Sequence, residues 1–394
     1  MSLPPLILRK NEDRRLRAGH LWVFSNEVDI ARTPLKAFQP GDLVEIQSAS
    51  GHAIGSGYVN PNSLIAARIL SRDPQHLPDR SLLVHRLNIA LSLRERLYPK
   101  PYYRLAFGES DGLPGLVVDR YGDVLVAQIT TAGMERMKAD VVAALEKVVK
   151  PAAILFRNDV GIRELEGLPL YTETALGTLP ATVKVEEHGL KFEAPLEGGQ
   201  KTGWFYDQHD NRARLLRYVK GQRVLDVCSY VGGWSVQAAA HGAAEAVAVD
   251  SSAQALEWVQ KNAAANGVSV ATIHGDAFDT LRDLKENGEK FGVVVLDPPA
   301  FVKRRKDLAA GSDAYRRLNQ LAMQLLERDG MLISCSCSHH MGEADLLGAI
   351  QTAARHLGRD AQVLERGMQA PDHPVHPAIP ETAYLKAFYV RVIA

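Results

Sequence analysis

One cysteine stands where a nucleophile could act on a pyrimidine. Residues 331–337 form an apolar run that predicts a strand, and Cys337 closes it between Ser336 and Ser338. A thiolate can add to C6 of cytosine, which makes C5, otherwise a poor nucleophile, able to attack a methyl group. A cysteine in an apolar strand is more often a buried core residue, and that is the interpretation for Cys335. For Cys337 the prediction is a nucleophile, activated by a lowered pKa or a nearby base.

A second motif, Asp297-Pro298-Pro299-Ala300-Phe301, closes another strand of the same predicted sheet. Because its two prolines fix φ and cannot extend a ladder, the loop is predicted to be stiff, suited to a flat base and able to hold Asp297 in place. Amino-directed methyltransferases use a similar Asp/Asn-Pro-Pro-aromatic loop. Here Ala300 follows the two prolines, and the aromatic residue, Phe301, comes one position later. The motif predicts methylation of a base without naming the atom, so ring-nitrogen or amino methylation of a guanine stays open.

The stretch 222–233 predicts a cofactor pocket. Residues 223–228 indicate a buried parallel strand, with Asp226 near its carboxyl end and Gly232 and Gly233 in the turn that follows. The spacing fits neither a dinucleotide fingerprint nor a P-loop. An acid at this place would repel a pyrophosphate and suit a cation, and S-adenosylmethionine carries both an amino group and a sulfonium.

Two more acids fall at the ends of the next strands. Asp250, about 24 residues after Asp226, is placed to hydrogen-bond a ribose diol, and Asp276 with Ala277 to hold an adenine amino group. Each acid alone is more often a helix N-cap, an alternative for Asp250 before Ser251. The carboxyl ends of parallel strands share one edge of a sheet, so the whole set favours a cofactor site.

Composition sets broad limits on the function. The chain has 394 residues, and its 46 Lys and Arg balance 46 Asp and Glu, so any RNA contact must come from a local patch. No apolar run approaches the roughly 20 residues that span a bilayer, and the opening Met-Ser-Leu-Pro-Pro does not have the layout of a signal peptide. Three cysteines argue against a disulfide framework and for a reducing, cytoplasmic location. Cys335 and Cys337 have no second pair, so no metal site is expected.

The chain divides into three predicted domains. Residues 1–72 show short strands between Gly and Pro turns and predict a small β-barrel. Residues 73–194 begin with a polar linker and predict an α+β linking domain, with a helix over 82–97 and a hairpin around 116–129. Residues 195–394 alternate strands with helices, which predicts an α/β doubly wound, mostly parallel seven-stranded sheet.

The last strand of that sheet follows a long proline-rich loop rather than a helix, which leaves room for an antiparallel insertion. The seven predicted strands are 223–228, 245–250, 269–274, 291–297, 331–337, 361–366 and 384–393.

Two basic clusters are candidates for contact with RNA phosphates. One lies in the first domain and includes Arg14 and Arg15. The other follows the Asp-Pro-Pro loop and consists of Lys303, Arg304, Arg305 and Lys306. A charge run is more often a solvated face, but a basic patch beside a base pocket favours phosphate contact. Such contacts would position the RNA without reading its sequence.

Together these motifs resemble the bacterial 23S rRNA 5-methylcytosine methyltransferases of the single-cysteine, PUA-domain-containing kind, which have the class I S-adenosylmethionine-dependent methyltransferase fold. The resemblance runs nearly end to end and includes Gly19–Glu27, Gly108–Asp123 and Lys201–Arg212. It implies an RNA partner for the PUA-like first domain, attack of Cys337 on C6, and contact of Asp297 with the N3/N4 edge of cytosine. The implied cofactor-binding residues are Asp226, Tyr230, Gly232, Gly233, Asp250, Ser251, Asp276 and Ala277, with Gln208 and Asn211 approaching from the preceding segment.

The base that removes the C5 proton is unassigned. Two-cysteine RNA enzymes carry a cysteine after the Asp-Pro-Pro residues to help product release, and this chain has Ala300 and Phe301 there. Asp372-His373 could supply a base, although a structural loop is the favoured interpretation. A non-catalytic RNA-binding ribosome-assembly factor is a further alternative, against which the complete acid set argues. The sequence leaves open the rRNA position, naked RNA or a large-subunit assembly intermediate as substrate, and whether the chain forms a homodimer.

Overall fold

The computed structural model describes residues 3–73, 76–196 and 202–393. Lys201 of the Lys201–Arg212 motif and Pro74 of the predicted linker lie outside these residues. The chain folds as two compact units. The first contains Met1–Val183, Pro195–Trp204 and Pro371–Thr382, and the second contains Lys184–Ala194, Phe205–Ala370 and Ala383–Ala394. The proposed domain boundaries at 72/73 and 194/195 stay predictions.

The first unit opens with a five-stranded sheet, in agreement with a small β-rich domain over residues 1–72. Its elements are β1 (Pro5–Ile7), α1 (Arg14–Arg17), β2 (Trp22–Phe24), β3 (Asp42–Gln47), β4 (Ala53–Val59) and β5 (Ile65–Ser71). The strand order is β1-β3-β4-β5-β2, with β1 parallel to β3 and the other pairs antiparallel. Alternate residues such as Val44 and Ile46 are fully buried, as expected for strands with one face on a core.

A second five-stranded sheet follows, in the order β10-β9-β8-β7-β6. Its elements are α2 (Arg80–Leu97), β6 (Tyr102–Phe107), β7 (Leu116–Tyr121), β8 (Val124–Ile129), α3 (Ala132–Arg136), α4 (Lys138–Val149), β9 (Ala153–Asn158) and β10 (Tyr171–Gly177). The predicted hairpin is present as β7–β8, and Gly122 in its turn has φ 65°. The N-cap of α2 is Asp79, which accepts a hydrogen bond from Leu82 N.

The second unit contains the predicted doubly wound sheet. After the hairpin β11 (Thr182–Glu187) and β12 (Leu190–Pro195), its elements are α5 (His209–Leu215), β13 (Arg223–Val227), α6 (Ser235–Ala240), β14 (Glu245–Asp250), α7 (Ala253–Ala265), β15 (Ala271–His274), α8 (Ala277–Glu286), β16 (Phe291–Leu296), α9 (Leu308–Leu325), β17 (Leu326–Ser336), α10 (Glu343–His356), β18 (Asp360–Met368) and β19 (Lys386–Ile393). The order is β15-β14-β13-β16-β17-β19-β18, and β19 runs antiparallel to both of its neighbours.

Apolar runs in the central strands are explained by helices on both faces of this sheet. Leu225 and Val294 pack into one buried cluster, whereas Val224 and Val293 pack into the cluster on the other face. The chain order reverses between β14 and β16, the two neighbours of β13. Ligands of such sheets bind where the order reverses, outside the carboxyl ends of the strands.

The prediction for the fifth strand was too short at its amino end. β17 begins at Leu326 and includes Asp329-Gly330, which were expected to precede it. Asp329 and Gly330 pair with Ile393 and Val392 of β19, so the antiparallel partner extends the strand beyond its apolar run. Among the described residues, no helix is long and apolar enough to cross a membrane.

Candidate active site

Asp226 is the next-to-last residue of β13, and its carboxyl group is fully buried. Its Oδ2 accepts a hydrogen bond of 3.0 Å from Ser235 N at the start of α6, whereas Oδ1 has no partner among the described residues. Burial raises the pKa of Asp226 to about 7, and the charges of Asp297 and Asp250 add to the effect. A buried acceptor without a donor is unfavourable, so Oδ1 is suited to receive one from a ligand.

The turn after β13 has a strained, tightly packed backbone. Cys228 and Tyr230 have φ values of 66° and 49°, which side-chain-bearing residues rarely adopt. Gly232 has φ 87°, and a Cβ there would lie 3.0 Å from Val236 and 3.2 Å from Val259. The turn therefore packs closely on α6 and α7, and it holds its backbone at the edge of the sheet. Gly233, the other predicted glycine, is buried in the same turn.

Asp250 ends β14 and ties that strand to the turn. Its Oδ2 accepts a hydrogen bond of 2.8 Å from Tyr230 N, and its Oδ1 accepts one of 2.9 Å from Ser252 N. Ser252, not Asp250, is the N-cap of α7, so the capping alternative for Asp250 was wrong. Each carboxylate oxygen keeps a second lone pair for a ribose hydroxyl. Ser251 beside it is exposed.

Asp276 has the capping role that was the alternative to adenine binding. Its Oδ1 accepts 2.8 Å from Phe278 N and 3.2 Å from Asp279 N at the start of α8, whose first residue is Ala277. Asp276 is exposed, so its carboxylate also remains accessible to a ligand. Its contact with an adenine amino group stays a prediction.

Asp297 directly follows β16 and is held on both sides. Its Oδ1 accepts a hydrogen bond of 3.0 Å from Gln208 Nε2, and its Oδ2 accepts one of 3.0 Å from the indole Nε1 of Trp234. Burial raises the pKa of Asp297 to about 6, while the hydrogen bond from Trp234 opposes the rise. Trp234 was not predicted, although an indole directly after Gly233 could have indicated a donor at this edge.

Gln208 and Asn211 were predicted to approach the cofactor, and the structure brings them to Asp297. Asn211 is fully buried and donates 2.7 Å to Gln208 Oε1. Because Oε1 is used in this way, the Gln208 amide group must present Nε2 to the carboxylate of Asp297. The two residues therefore orient Asp297, and a direct contact with the cofactor stays a prediction.

A buried ion pair fixes the segment that carries Gln208. Arg212 on α5 donates 2.8 Å to Glu187 Oε2 on β11, and both side chains are almost fully buried. Burial alone would raise the pKa of Glu187, but the guanidinium beside it lowers the value to about 2. Removing one partner of such a pair leaves an uncompensated buried charge, which is strongly destabilising, so the pair fastens α5 to β11.

Cys337 directly follows β17 and is partly exposed. In the register of the sheet, Leu296 of β16 pairs with Ser334 of β17, so the residues after both strands emerge at the same edge. Cys335 is fully buried, as expected. Burial raises the pKa of Cys335 well above its usual value, and the charge of Asp297 adds to the effect, which disfavours a thiolate there.

The two serines around Cys337 hold its backbone in place. Ser336 Oγ donates 2.9 Å to the hydroxyl of Tyr315, which lies 3.1 Å from Ser338 Oγ. Ser338 Oγ also accepts 3.2 Å from Val302 N, just after the Asp-Pro-Pro-Ala-Phe motif. The network joins the cysteine loop to the loop of Asp297. Tyr315 was not predicted, because nothing in the local pattern of α9 distinguishes it from a core tyrosine.

The two basic clusters differ in how available their charges are. All four residues of the Lys303–Lys306 run are exposed, and Arg304 lies 3.1 Å from Asp307. Arg14 is exposed as well. Arg15, by contrast, donates to both carboxylate oxygens of Glu27 at 2.7 and 2.9 Å and to Trp22 O. Its guanidinium is therefore engaged within the first domain, and its contact with RNA phosphates stays a prediction.

The Asp372-His373 pair has the structural role that was the favoured interpretation. Both residues are almost fully buried in the first unit. Asp372 Oδ2 accepts 2.8 Å from Arg104 N, and its Oδ1 lies 2.7 Å from His373 Nδ1. These contacts fasten the loop to β6, so the base for the C5 proton stays unassigned.

Two family models match the chain. A PUA-like domain matches residues 6–72, and an S-adenosylmethionine-dependent methyltransferase matches residues 169–391. The chain belongs to the S-adenosylmethionine-dependent methyltransferase family. The predicted fold and cofactor are thereby confirmed.

Curated relatives match the chain over nearly its whole length. It is 39% identical to ribosomal RNA large subunit methyltransferase I of Erwinia tasmaniensis, over 98% of this chain and 99% of that protein. It is also 39% identical to the protein of the same name from Salmonella arizonae, over 100% of this chain and 98% of that one. The protein in the crystal structure of SMU.776 complexed with SAH is 19% identical in sequence to this chain. The two structures have a TM-score of 0.84 over 99% of this chain and 100% of that chain. At 19% identity, the similarity to SMU.776 shows the fold alone.

The residues at the edge of the sheet fit S-adenosylmethionine. The buried Asp226 Oδ1 can receive a donor from a cationic group, and Asp250 retains acceptor capacity for hydroxyl groups. The turn around Gly232 brings the backbone close to the same place. When bound, S-adenosylmethionine supplies the sulfonium methyl group that a carbon or nitrogen nucleophile can accept.

We expect the affinity for S-adenosylmethionine to weaken as the pH falls through about 7, the raised pKa of Asp226. Below that value the carboxyl group is protonated and loses the charge that stabilises a cation. If only the ionised form binds, Kd rises about tenfold from pH 8 to pH 6. Calorimetric titration across this range measures the effect. Asp226→Asn is the matched control, because it keeps an acceptor for Ser235 N and cannot titrate; an equal pH dependence in both proteins contradicts the assignment.

Proposed function

We propose that this chain transfers a methyl group to C5 of a cytosine in 23S ribosomal RNA through a covalent adduct between Cys337 and C6. The observation that carries the proposal is the partly exposed Cys337 directly after β17, at the sheet edge that also bears Asp297. The names of the curated relatives support an RNA of the large ribosomal subunit as substrate. Such a substrate and a thiol nucleophile both suit the reducing cytoplasm.

Cys337 acts as the nucleophile in this proposal. Its thiolate lone pair forms the bond to C6, and the electron pair of the C5–C6 double bond makes C5 nucleophilic. After C5 has been methylated and has lost its proton to a base, the pair of the C6–S bond returns to sulfur. The serine and tyrosine hydroxyl groups around Cys337 fix the loop, so little ordering is needed when the base arrives.

Asp297 recognises the base and assists the addition. Gln208 and Trp234 hold its two oxygens, so the carboxyl group has a fixed orientation. A carboxyl group with a pKa of about 6 can donate a proton to N3 as negative charge develops there, or accept a hydrogen bond from N4 in its ionised form. The target base must leave its stack to reach both residues.

Product analysis tests the function directly. Purified protein, labelled S-adenosylmethionine and large-subunit rRNA are incubated, the RNA is digested, and the nucleosides are identified by mass spectrometry. We expect 5-methylcytidine at one position. A methylated guanosine would support the guanine alternative and contradict this proposal. Intact cofactor binding with no methyl transfer to free rRNA or to large-subunit particles would support the assembly-factor alternative.

We expect Lys303 and Lys306 to contact RNA phosphates, because both are exposed beside the loop of Asp297. Replacing both with alanine should weaken RNA binding and lower the slope of log K against log salt by about 1.4, at about 0.7 per contact with a single strand. Filter binding over a salt series measures the slope. The matched control is Lys220→Ala with Lys285→Ala, two exposed lysines outside the Asp297 and Cys337 loops. Equal slopes in the two double variants would contradict the assignment.

A further inference from the structure

Lys386, the first residue of β19, contacts the loop that carries Cys337. In the antiparallel pairing of β17 with β19, Lys386 lies opposite Ser336. Its Nζ donates a hydrogen bond of 2.6 Å to Ser338 O and one of 2.8 Å to Tyr384 O. The ammonium group is therefore bound to the backbone carbonyl of Ser338, the residue directly after Cys337. An ammonium group has three donors, so two carbonyl bonds leave one N–H for a further acceptor.

Ionisable groups from two other parts of the fold act on Lys386. Cys337 is in the loop after β17, and Asp345 is near the start of α10. On the β18 side, Lys386 pairs with Met368, which has no charge. Asp345 already accepts 2.9 Å from Gly342 N. Burial lowers the pKa of Lys386 to about 8, while Cys337 and then Asp345 oppose the shift. A desolvated ammonium group beside a thiol favours the ionised sulfur.

We propose that the Lys386 ammonium group stabilises the Cys337 thiolate and is a positioning residue for the nucleophile. The use made of that thiolate, attack on cytosine C6, rests on the proposed function. The thiol proton passes to water, leaving a thiolate beside a cation. When sulfur forms its bond to C6, the negative charge moves to the base. When the C6–S bond breaks, its electron pair returns to sulfur and the ion pair re-forms. Lys386 keeps its protons throughout.

The test measures the ionisation of Cys337 without RNA. Full-length protein is alkylated with iodoacetamide over a pH series, and the rate at Cys337 is followed by peptide mass mapping. Lys386→Gln removes the charge but keeps an N–H donor, whereas Lys386→Arg keeps the charge. We expect the apparent pKa of Cys337 to rise by about one unit or more in Lys386→Gln. In Lys386→Arg it should stay close to the wild-type value. Cys228 and Cys335, read in the same digests, should not change.

An unchanged apparent pKa in a folded Lys386→Gln variant would overturn the inference, and so would an equal shift in Lys386→Arg. S-adenosylmethionine binding and thermal melting check that each variant is folded. Should the glutamine variant not fold, Lys386→Met, which keeps the aliphatic stem, replaces it with the same expectation. The outcome is independent of product identity: a pKa shift with no 5-methylcytidine would sink the proposed function alone. Retained 5-methylcytidine formation with no shift would sink only the role of Lys386.

Discussion

Replacing Cys337 with alanine is expected to reduce methyl transfer by on the order of 10⁴-fold or more, because removing a covalent nucleophile leaves only binding and orientation. Its loop is held by Ser336, Ser338 and Tyr315, whose hydroxyl groups and backbone the substitution leaves in place. The affinity for S-adenosylmethionine should therefore stay within about twofold of wild type, since no cofactor-binding residue changes. Single-turnover assays with rRNA measure the rate, and calorimetry measures the affinity.

Cys228→Ala is the matched control for that variant. Cys228 is partly exposed and lies in the turn after β13, so it is the other cysteine that a ligand at this edge could meet. Burial raises its pKa, and the charges of Asp250 and Asp297 raise it further, so it is a poor nucleophile. We expect Cys228→Ala to retain activity within a few-fold. Substantial activity in Cys337→Ala, or its loss in Cys228→Ala alone, would contradict the assignment of the nucleophile.

The second large effect is expected from Asp297→Asn, which should lower kcat/KM by about 10²- to 10⁴-fold, the usual contribution of a general acid or base. The substitution removes the proton that the carboxyl group can donate. It also places an amide N–H against one of the two donors, Gln208 and Trp234, that now converge on the carboxylate. Steady-state kinetics with rRNA measure the loss.

The pH profile distinguishes a chemical role of Asp297 from a structural one. Its pKa is raised to about 6, so the protonated form is populated below that pH and is lost as the pH rises through it. The kcat/KM of the wild-type protein should show an inflection there that Asp297→Asn lacks. Trp234→Phe removes a hydrogen bond that lowers this pKa, so it should move the inflection upward. An inflection that persists in Asp297→Asn would show that another group titrates.

Much of the fold could be predicted because its signals are local. Apolar runs such as 291–297 predict buried parallel strands, and the acids that follow such strands then fall at one edge. The antiparallel β19 was foreseen only as an option, since pairing direction depends on how the preceding loop returns. The start of β17 was missed because its first residues are polar and are held by β19, far along the chain.

The parts of the site that could not be predicted depend on contacts between distant segments. Trp234 and Asp297 are 63 residues apart in sequence, and Gln208 and Asp297 are 89 apart. No periodicity of the sequence fixes these pairings. Lys386 is similar, because a lysine at the start of a strand is usually solvated, and only the pairing of β19 with β17 brings it to the loop that carries Cys337. Cys337 and Asp297 could thus be proposed from local motifs, whereas the contacts of Gln208, Trp234 and Lys386 that surround them could not.

The most direct test of the account is to trap the adduct on rRNA that contains 5-fluorocytidine. After addition of the thiolate to C6 and methylation of C5, fluorine cannot leave as the proton does, so the C6–S bond cannot be broken by elimination. We expect a protein–RNA complex that survives denaturation, needs S-adenosylmethionine, and maps to Cys337 in the digested protein. No stable complex under conditions where unmodified rRNA is methylated, or a complex that maps to Cys228 or Cys335, would contradict it.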